Sequence, residues 1–172
     1  MRYPVVLILL TFLAAAGCSS HAGSSQWHSG ELTDVTGVPL AGRDDLAVTV
    51  SLTSTSSHLT TGQAIDAMVT ITNLTDRPVR IDSPTSVRLY VYIWRYTEAG
   101  WTKILRYPQS ELHVVTPWGI APDASVGMTL PLVIEPNWPT YETLRLTAAV
   151  NGANTTSEPI IFRVASKPAD KR

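Results

Sequence analysis

The sequence predicts an all-β domain, an antiparallel β-sandwich of about seven to nine strands. Two observations predict this fold class. Apolar and polar residues alternate with a period of two, the pattern of half-buried strands, at 46–52, 65–71, 87–93, 126–134, 144–150 and 160–164. These segments favour Thr, Val, Ser and Ile, and 12 prolines interrupt the chain too often for long helices. Periodicity does not count sheets, so a closed barrel stays open as the alternative.

Shorter apolar segments supply the remaining strands. We predict them at 79–82, 101–107 and 111–116. Turn residues separate the strands, as at Pro122-Asp123, Glu135-Pro136-Asn137 and Asn151-Gly152. The chain has 172 residues, of which 44% are hydrophobic, and this is enough to build one core.

The first 17 residues have the pattern of an export signal. Arg2 supplies a positive start, and residues 5–16 are apolar except for Thr11. Such a segment is too short to cross a bilayer core of about 30 Å as a helix. It matches the apolar part of a signal peptide, and small residues follow it at the cleavage position. We therefore predict a signal peptide over residues 1–17.

A cysteine follows this signal directly. Residues 13–18, LAAAGC, resemble the lipobox of bacterial lipoproteins, although Ala15 stands where that motif usually has Leu. The resemblance implies that Cys18 receives a diacylglycerol thioether and becomes the first residue after cleavage, with several acyl chains for stable anchoring. Ser19 stands where an Asp favours inner-membrane retention. In a Gram-negative cell, the resemblance thus implies an outer-membrane position facing the periplasm. An ordinary cleaved signal with an incidental cysteine is the alternative.

The rest of the chain divides at two changes in composition. Residues 18–43 begin with the lipidated cysteine and are rich in Ser and Gly without sustained apolar periodicity, which predicts a flexible tether. Residues 44–166 carry the strand pattern and form the predicted sandwich. Residues 167–172 form a short charged tail.

One stretch indicates the family of this sandwich. Residues 59–65, LTTGQAI, form a Gly-polar turn that leads into an alternating strand. Residues 73–79, NLTDRPV, end that strand with Asn, a polar turn and Pro-Val. This pattern resembles bacterial immunoglobulin-like domains, among them a proteinase-inhibitor-like family. The resemblance implies an immunoglobulin-like sandwich, and because it concerns backbone turns it implies little about function.

Composition argues against several functions. Thirteen basic residues meet fourteen acidic ones, so the net charge of −1 gives no electrostatic reason to bind nucleic acid. Cys18 is the only cysteine, so no disulfide forms within the chain. The four histidines lack the spacing of metal ligands, and no motif gathers a nucleophile, a base and an acid. We predict no metal, no cofactor and no catalysis.

The best candidate for a binding face is the outer side of the strand at 87–93. With Val87, Leu89, Val91 and Ile93 facing the core, the other side carries Arg88, Tyr90, Tyr92, Trp94 and Tyr96. Tyr and Trp combine a flat apolar body with a polar tip, which suits protein partners and sugar rings. The structural alternative is that a neighbouring strand, or the segment 97–122, covers these aromatic residues.

Two more tryptophans are candidate loop contacts. Trp118 and Trp138 lie in segments that prolines bracket, 117–122 and 136–139. A tryptophan in a loop either anchors that loop on the core or forms part of a binding edge.

These features predict a membrane-anchored lipoprotein of the cell envelope that acts as a non-catalytic protein-binding or envelope-assembly module. Its partner would be another envelope protein. Two alternatives remain open. One is a proteinase inhibitor, which would insert 117–122 or 136–139 into a protease cleft. The other is a cell-wall or glycan-binding module that uses the aromatic residues.

Overall fold

A computed structural model describes residues 30–54 and 56–166 of the chain. The predicted signal peptide, the predicted lipidation site at Cys18 and the predicted charged tail 167–172 lie outside the described residues. The described part contains eleven strands: β1 (Glu31–Leu32), β2 (Leu46–Leu52), β3 (His58–Thr60), β4 (Ala64–Asn73), β5 (Val79–Ser83), β6 (Leu89–Thr97), β7 (Gly100–Tyr107), β8 (Thr116–Ile120), β9 (Ser125–Val133), β10 (Thr143–Val150) and β11 (Ile160–Ala165). Nowhere in these residues is there a helix with the length and apolar character needed to cross a bilayer.

The strands form three sheets, and this confirms the predicted all-β sandwich. The orders are β3-β11-β10-β6-β7, β2-β4-β9 and β1-β8-β5. All pairs are antiparallel except β3 with β11, which are parallel. Two of the sheets match the arrangement of an immunoglobulin-like sandwich, which has strands A, B and E in one sheet and C, F and G in the other. Strands β2, β4 and β9 correspond to A, B and E, and β6, β10 and β11 correspond to C, F and G. The count exceeds nine because β1 and β3 are too short to show periodicity.

The core lies between the five-stranded sheet and the two smaller sheets. The inward rows that alternation predicts are buried, and they join in one cluster. Leu146 on β10 pairs with Ile93 on β6, and both are fully buried. Each such side chain contributes about 1.5–3 kcal/mol when it leaves water. The hydrophobic effect across the sheets therefore holds the fold together without disulfides.

Residues 30–43, which composition assigns to the tether, pack on the domain instead. β1 pairs with β8, and the Arg80 N–H donates to the Pro39 carbonyl over 2.8 Å. Gly119 of β8 permits this approach, because a Cβ there would lie 2.8 Å from Val35 Cγ1. The tether prediction was wrong for these residues, since backbone hydrogen bonds hold a segment that lacks apolar periodicity.

The prediction of a strand at 111–116 was also wrong, whereas those at 79–82 and 101–107 are confirmed by β5 and β7. β8 begins only at Thr116. The Ser86 N–H donates to the Leu112 carbonyl, and the Leu112 N–H donates to Ser86 Oγ. Leu112 therefore does not join a sheet. The apolar residues before Thr116 are consequently exposed, since no strand or sheet among the described residues covers them.

The turn after β4 is organised by Asn73. Its amide donates to the backbone carbonyls of Arg77, Ile120 and Ala121 over 2.8–3.3 Å. Its side-chain oxygen accepts from the N–H and the hydroxyl of Thr75. The Asn73 side chain is 1% exposed, and its bond to the Ile120 carbonyl is fully buried. The turn motif that suggested the fold family thus ties β4 to the end of β8.

Candidate functional site

The outer side of β6 carries four aromatic residues, here called the aromatic row: Tyr90, Tyr92, Trp94 and Tyr96. Alternation along an extended strand places them opposite the buried Leu89, Val91 and Ile93. Their exposure rises along the strand, from 6% at Tyr90 to 63% at Tyr96. Consecutive members touch, with ring centroids 5.9 Å apart for Tyr90 and Tyr92 and 6.2 Å apart for Tyr92 and Trp94. The row is therefore covered at one end and open at the other.

Tyr90 is covered by a polar cluster. Its hydroxyl donates to the Glu111 carboxylate and lies 3.2 Å from Thr85 Oγ1. The Arg106 guanidinium stacks over the Tyr90 ring at 5.0 Å and pairs with Glu111 at 3.4 Å. Burial raises the pKa of Tyr90, and the hydrogen bond to Glu111 adds to that rise. That same hydrogen bond is the main reason that the pKa of Glu111 is lowered, with the Arg106 charge adding to it. Tyr90 is therefore held in place by contacts within the domain.

A bulge between β6 and β7 brings Lys103 to the aromatic row. Ile93 pairs with Leu105, but Trp94 pairs with Lys103, so Ile104 is the extra residue on β7. In a regular pair of strands, the residue opposite Trp94 would be Ile104 rather than Lys103. Lys103 Nζ lies 4.5 Å from the Tyr92 ring centroid and 6.0 Å from that of Trp94. The bulge thus places a cation on the open part of the row.

Trp94 is fixed from the opposite strand, β10. Arg145 pairs with it in the sheet, and the guanidinium carbon lies 4.7 Å from the ring centroids of both Trp94 and Trp101. The Trp94 indole N–H donates to Thr147 Oγ1 over 2.9 Å. Trp101 in turn meets the Tyr96 ring edge-on at 5.3 Å. Trp94 is therefore a positioned ring rather than a mobile surface side chain.

A groove of about 450 Å³ lies beside Tyr90, Tyr92 and Trp94, whereas Tyr96, the most exposed member of the row, does not line it. Tyr90, Tyr92 and Trp94 form one wall with Lys103, and Thr147 and Ala149 lie on the strand between the walls. Residues 150–156 form the other wall. This volume falls within the usual range for small-molecule sites, and the lining mixes aromatic surface with a few polar groups as such sites do. Burial raises the pKa of Tyr92, which keeps its phenol neutral at the groove wall.

The far wall is held rigidly by Asn151 and Gly152. The Asn151 amide donates to Thr85 Oγ1 over 2.9 Å and to the Val87 carbonyl over 2.6 Å. Gly152 has a φ of 97°, and a Cβ there would lie 2.3 Å from the Asp82 carbonyl oxygen. Only glycine fits this contact, since both the backbone conformation and the space exclude a side chain.

Arg88, which the sequence groups with the row, belongs elsewhere. Its guanidinium pairs with the Glu31 carboxylate of β1 and lies 5.6 Å from the Trp118 ring centroid. It precedes the first residue of β6 and does not line the groove. Arg88 thus helps to hold the N-terminal segment on the domain.

Of the two alternatives for Trp118 and Trp138, the structure favours anchoring on the core over a binding edge. Trp118 lies within β8, and each of the two side chains is 1% exposed. The Trp118 indole donates to Ser83 Oγ over 3.0 Å, and the Trp138 indole donates to the Tyr107 hydroxyl over 3.2 Å. Both rings are core residues, because packing between sheets removes large apolar surface from water more effectively than a loop edge does.

The residues that sequence reasoning missed are Lys103, Arg145, Thr147 and the wall 150–156. Their segments were predicted, but the register that brings them to the aromatic row depends on the β6–β7 bulge and the β10 pairing. In the part of the chain that the structure describes, no three His, Cys, Asp or Glu side chains come together in a group able to hold a metal ion.

Comparison with known proteins adds structural likeness only. No protein-family model matches the chain. No curated protein matches it either. An alkylpurine DNA glycosylase from Pseudomonas fluorescens, bound to DNA with an abasic site analog, aligns with a TM-score of 0.46 and 10% identity over 70% of this chain and 30% of its own.

Two further structures align over a similar share of this chain. A sporulation control protein from Bacillus subtilis has a TM-score of 0.44 and 11% identity over 71% of this chain and 51% of its own. A β-glucosidase from Listeria innocua in complex with gluconolactone has a TM-score of 0.42 and 16% identity over 70% of this chain and 16% of its own. This chain therefore spans about half or less of each of these proteins, and nothing about function follows from the likeness.

Proposed function

We propose that this chain is a lipid-anchored, non-catalytic module of the bacterial cell envelope that binds a glycan in the groove beside the aromatic row. Lipid on Cys18 would hold it at the membrane, and Ser19 favours the periplasmic side of an outer membrane in a Gram-negative cell. Residues between Cys18 and β1 would let the domain reach away from the bilayer surface.

The observation that carries this proposal is the lining of the groove. Tyr92 and Trp94 present ring surface on one wall, while Asn154 and Thr156 present amide and hydroxyl groups on the other. Sugar rings offer apolar C–H faces that stack on aromatic rings and hydroxyls that bond to such polar groups. The described residues that line the groove include no carboxylate and no imidazole, the groups that a hydrolase would place against a glycosidic bond.

The position of the buried tryptophans favours glycan binding over proteinase inhibition. An inhibitor needs a protruding loop that enters a protease cleft. The segments 117–122 and 136–139, which were the candidates, place Trp118 in a strand and bury Trp138 against Phe162. Their largest side chains therefore face inward.

An envelope protein partner is the second candidate, and a different surface favours it. Leu112, Val114 and Val115 are 58–69% exposed in the segment between β7 and β8. Adjacent exposed apolar side chains on a soluble domain often mark a protein contact. A partner there would leave the groove free.

Anchoring and binding have separate tests. For anchoring, cells are labelled with radioactive palmitate, and Cys18→Ser should lose the label that the parent chain carries. Label that persists in Cys18→Ser would contradict the lipid anchor.

For binding, the full chain in mild detergent is sedimented with purified peptidoglycan sacculi. Tyr92→Ala should reduce the sedimented fraction about tenfold, because one stacking surface is lost. Tyr141→Ala is the matched control, since Tyr141 is exposed outside the groove. Equal sedimentation of both variants and the parent would contradict the groove as the site.

A further inference from the structure

The groove carries a charge that glycan binding alone does not require. We infer that the groove selects an acidic glycan strand, an inference that rests on the proposed function. Lys103 determines this specificity by contacting a carboxylate on the sugar chain. The inference names the ligand class within the site already described.

Lys103 is the one cation among the described residues that line the groove. Its side chain is exposed, and its ammonium lies 4.5 Å from the Tyr92 ring centroid. A sugar that stacks on Tyr92 or Trp94 would therefore place its substituents within reach of this charge. The bulge at Ile104 is what puts the lysine there.

No carboxylate of the described residues neutralises this cation. The described ion pairs near the aromatic row join Arg95 to Glu142 and Arg106 to Glu111. Lys103 takes part in none of the described ion pairs. The chain as a whole has a net charge of −1, so the positive character of the groove is local. A local cation beside a concave surface attracts anionic ligands.

Arg145 places a second positive charge beside Trp94, although it does not itself line the groove. Its guanidinium lies between Trp94 and Trp101, and its Nε is buried without a hydrogen-bond partner in the described chain. It also takes part in none of the described ion pairs with a carboxylate. Two cations thus flank Trp94, one on each neighbouring strand. This complementarity favours an anionic strand over a neutral one.

The test compares one ligand in two charge states. Glycan strands are released from peptidoglycan sacculi by an amidase, which cleaves off the stem peptides and so frees the lactyl carboxylates of the sugar chain. The strands are used untreated, or after these carboxylates are converted to neutral amides with a carbodiimide and ethanolamine. The full chain in mild detergent should bind untreated strands about tenfold more tightly, which is the ordinary effect of one charge-assisted contact. Lys103→Gln should lose about tenfold on untreated strands and nothing on amidated strands.

Two variants control this result. Lys103→Arg keeps the charge and should keep the preference for untreated strands. Arg163→Gln removes an exposed cation of β11 that does not line the groove, and it should bind as the parent chain does. Loss in Arg163→Gln equal to that in Lys103→Gln would overturn the inference, because net charge alone would then explain binding.

The remaining outcomes separate the two proposals. Equal binding to untreated and amidated strands overturns the acidic preference and leaves glycan binding intact. Failure to bind either preparation overturns both. Competition distinguishes the source of the carboxylate: stem peptides released by the same amidase, added in excess, should leave the strands bound. Displacement by the released stem peptides instead would overturn the assignment to the sugar chain.

Discussion

The guanidinium carbon of Arg145 lies 4.7 Å from the centroid of the Trp94 ring. The two residues pair across β10 and β6, and the indole N–H of Trp94 is held by Thr147 two residues further along β10. A cation above an aromatic ring contributes about 0.5–1 kcal/mol at an exposed site. This contact therefore both stabilises the sheet and fixes the ring that forms the groove wall.

We expect Arg145→Met to lower the free energy of unfolding by about 1 kcal/mol, since the methionine keeps apolar packing but loses the cation. Urea unfolding measures the change. A double-mutant cycle with Trp94→Leu should give a coupling of about 0.5–1 kcal/mol. Strictly additive single effects would show that the stacked pair contributes nothing of its own.

Asn73→Ala should be among the most destabilising single changes outside the apolar core. It leaves three backbone carbonyls and the Thr75 N–H without their partner at a buried site. We expect a loss of about 2–3 kcal/mol, the cost of buried polar groups left unsatisfied. Denaturant midpoints measure it. Asn137→Ala, at an exposed turn position, is the control and should change stability little; comparable losses would contradict the role of Asn73.

Gly152→Ala should destabilise the domain more than Gly62→Ala does. Both glycines have positive φ, 97° and 85°, so each substitution costs about 1 kcal/mol from backbone strain. Only Gly152 also meets a backbone carbonyl at 2.3 Å, whereas nothing lies within 4 Å of a Cβ at Gly62. Thermal unfolding of both variants gives the difference. Equal losses would mean that the wall at 150–156 shifts freely.

Alkaline conditions should weaken the fold through buried tyrosines. Burial raises the pKa values of Tyr90, Tyr92 and Tyr107, so the folded state holds these phenol protons more tightly than the unfolded chain does. The contribution of these neutral phenols to the free energy of unfolding is therefore fully present below about pH 10. It is lost as the pH rises through the raised pKa values. Urea midpoints from about pH 8 to about pH 11 measure the fall. Tyr90→Phe should make the urea midpoint fall less steeply with pH. An unchanged slope would show that ionisation of Tyr90 does not contribute to the fall.

Acidic conditions should also weaken the fold, in this case through protonation of Glu111. The hydrogen bond from Tyr90, with the charge of Arg106, lowers its pKa, so the folded state favours the carboxylate. Its contribution is present above about pH 4.3 and is lost as the pH falls through the lowered value. Thermal midpoints of the parent and Glu111→Gln should differ at neutral pH and converge in acid. A difference that stays constant with pH would rule out this linkage.

The strand periodicity was a sound guide to the core and to the location of the aromatic row. Leu89, Val91 and Ile93 are buried as the alternation predicts, and Tyr92 and Trp94 lie on the opposite face. The turn motif at Asn73 also pointed correctly to the sandwich. The failures share one cause. Segments 30–43 and 111–116 were judged by local pattern, whereas backbone hydrogen bonds to distant residues decided both.

The sequence by itself determined which side of each main strand faces the core, because side chains alternate on an extended backbone whatever its neighbours are. Only the tertiary structure decided what stands beside the aromatic row. Lys103 reaches Tyr92 through a one-residue bulge, and Arg145 reaches Trp94 through pairing between strands far apart in the chain. It also placed Trp118 and Trp138 in the core. Register and packing between sheets depend on contacts summed over the whole fold, and no local pattern encodes them.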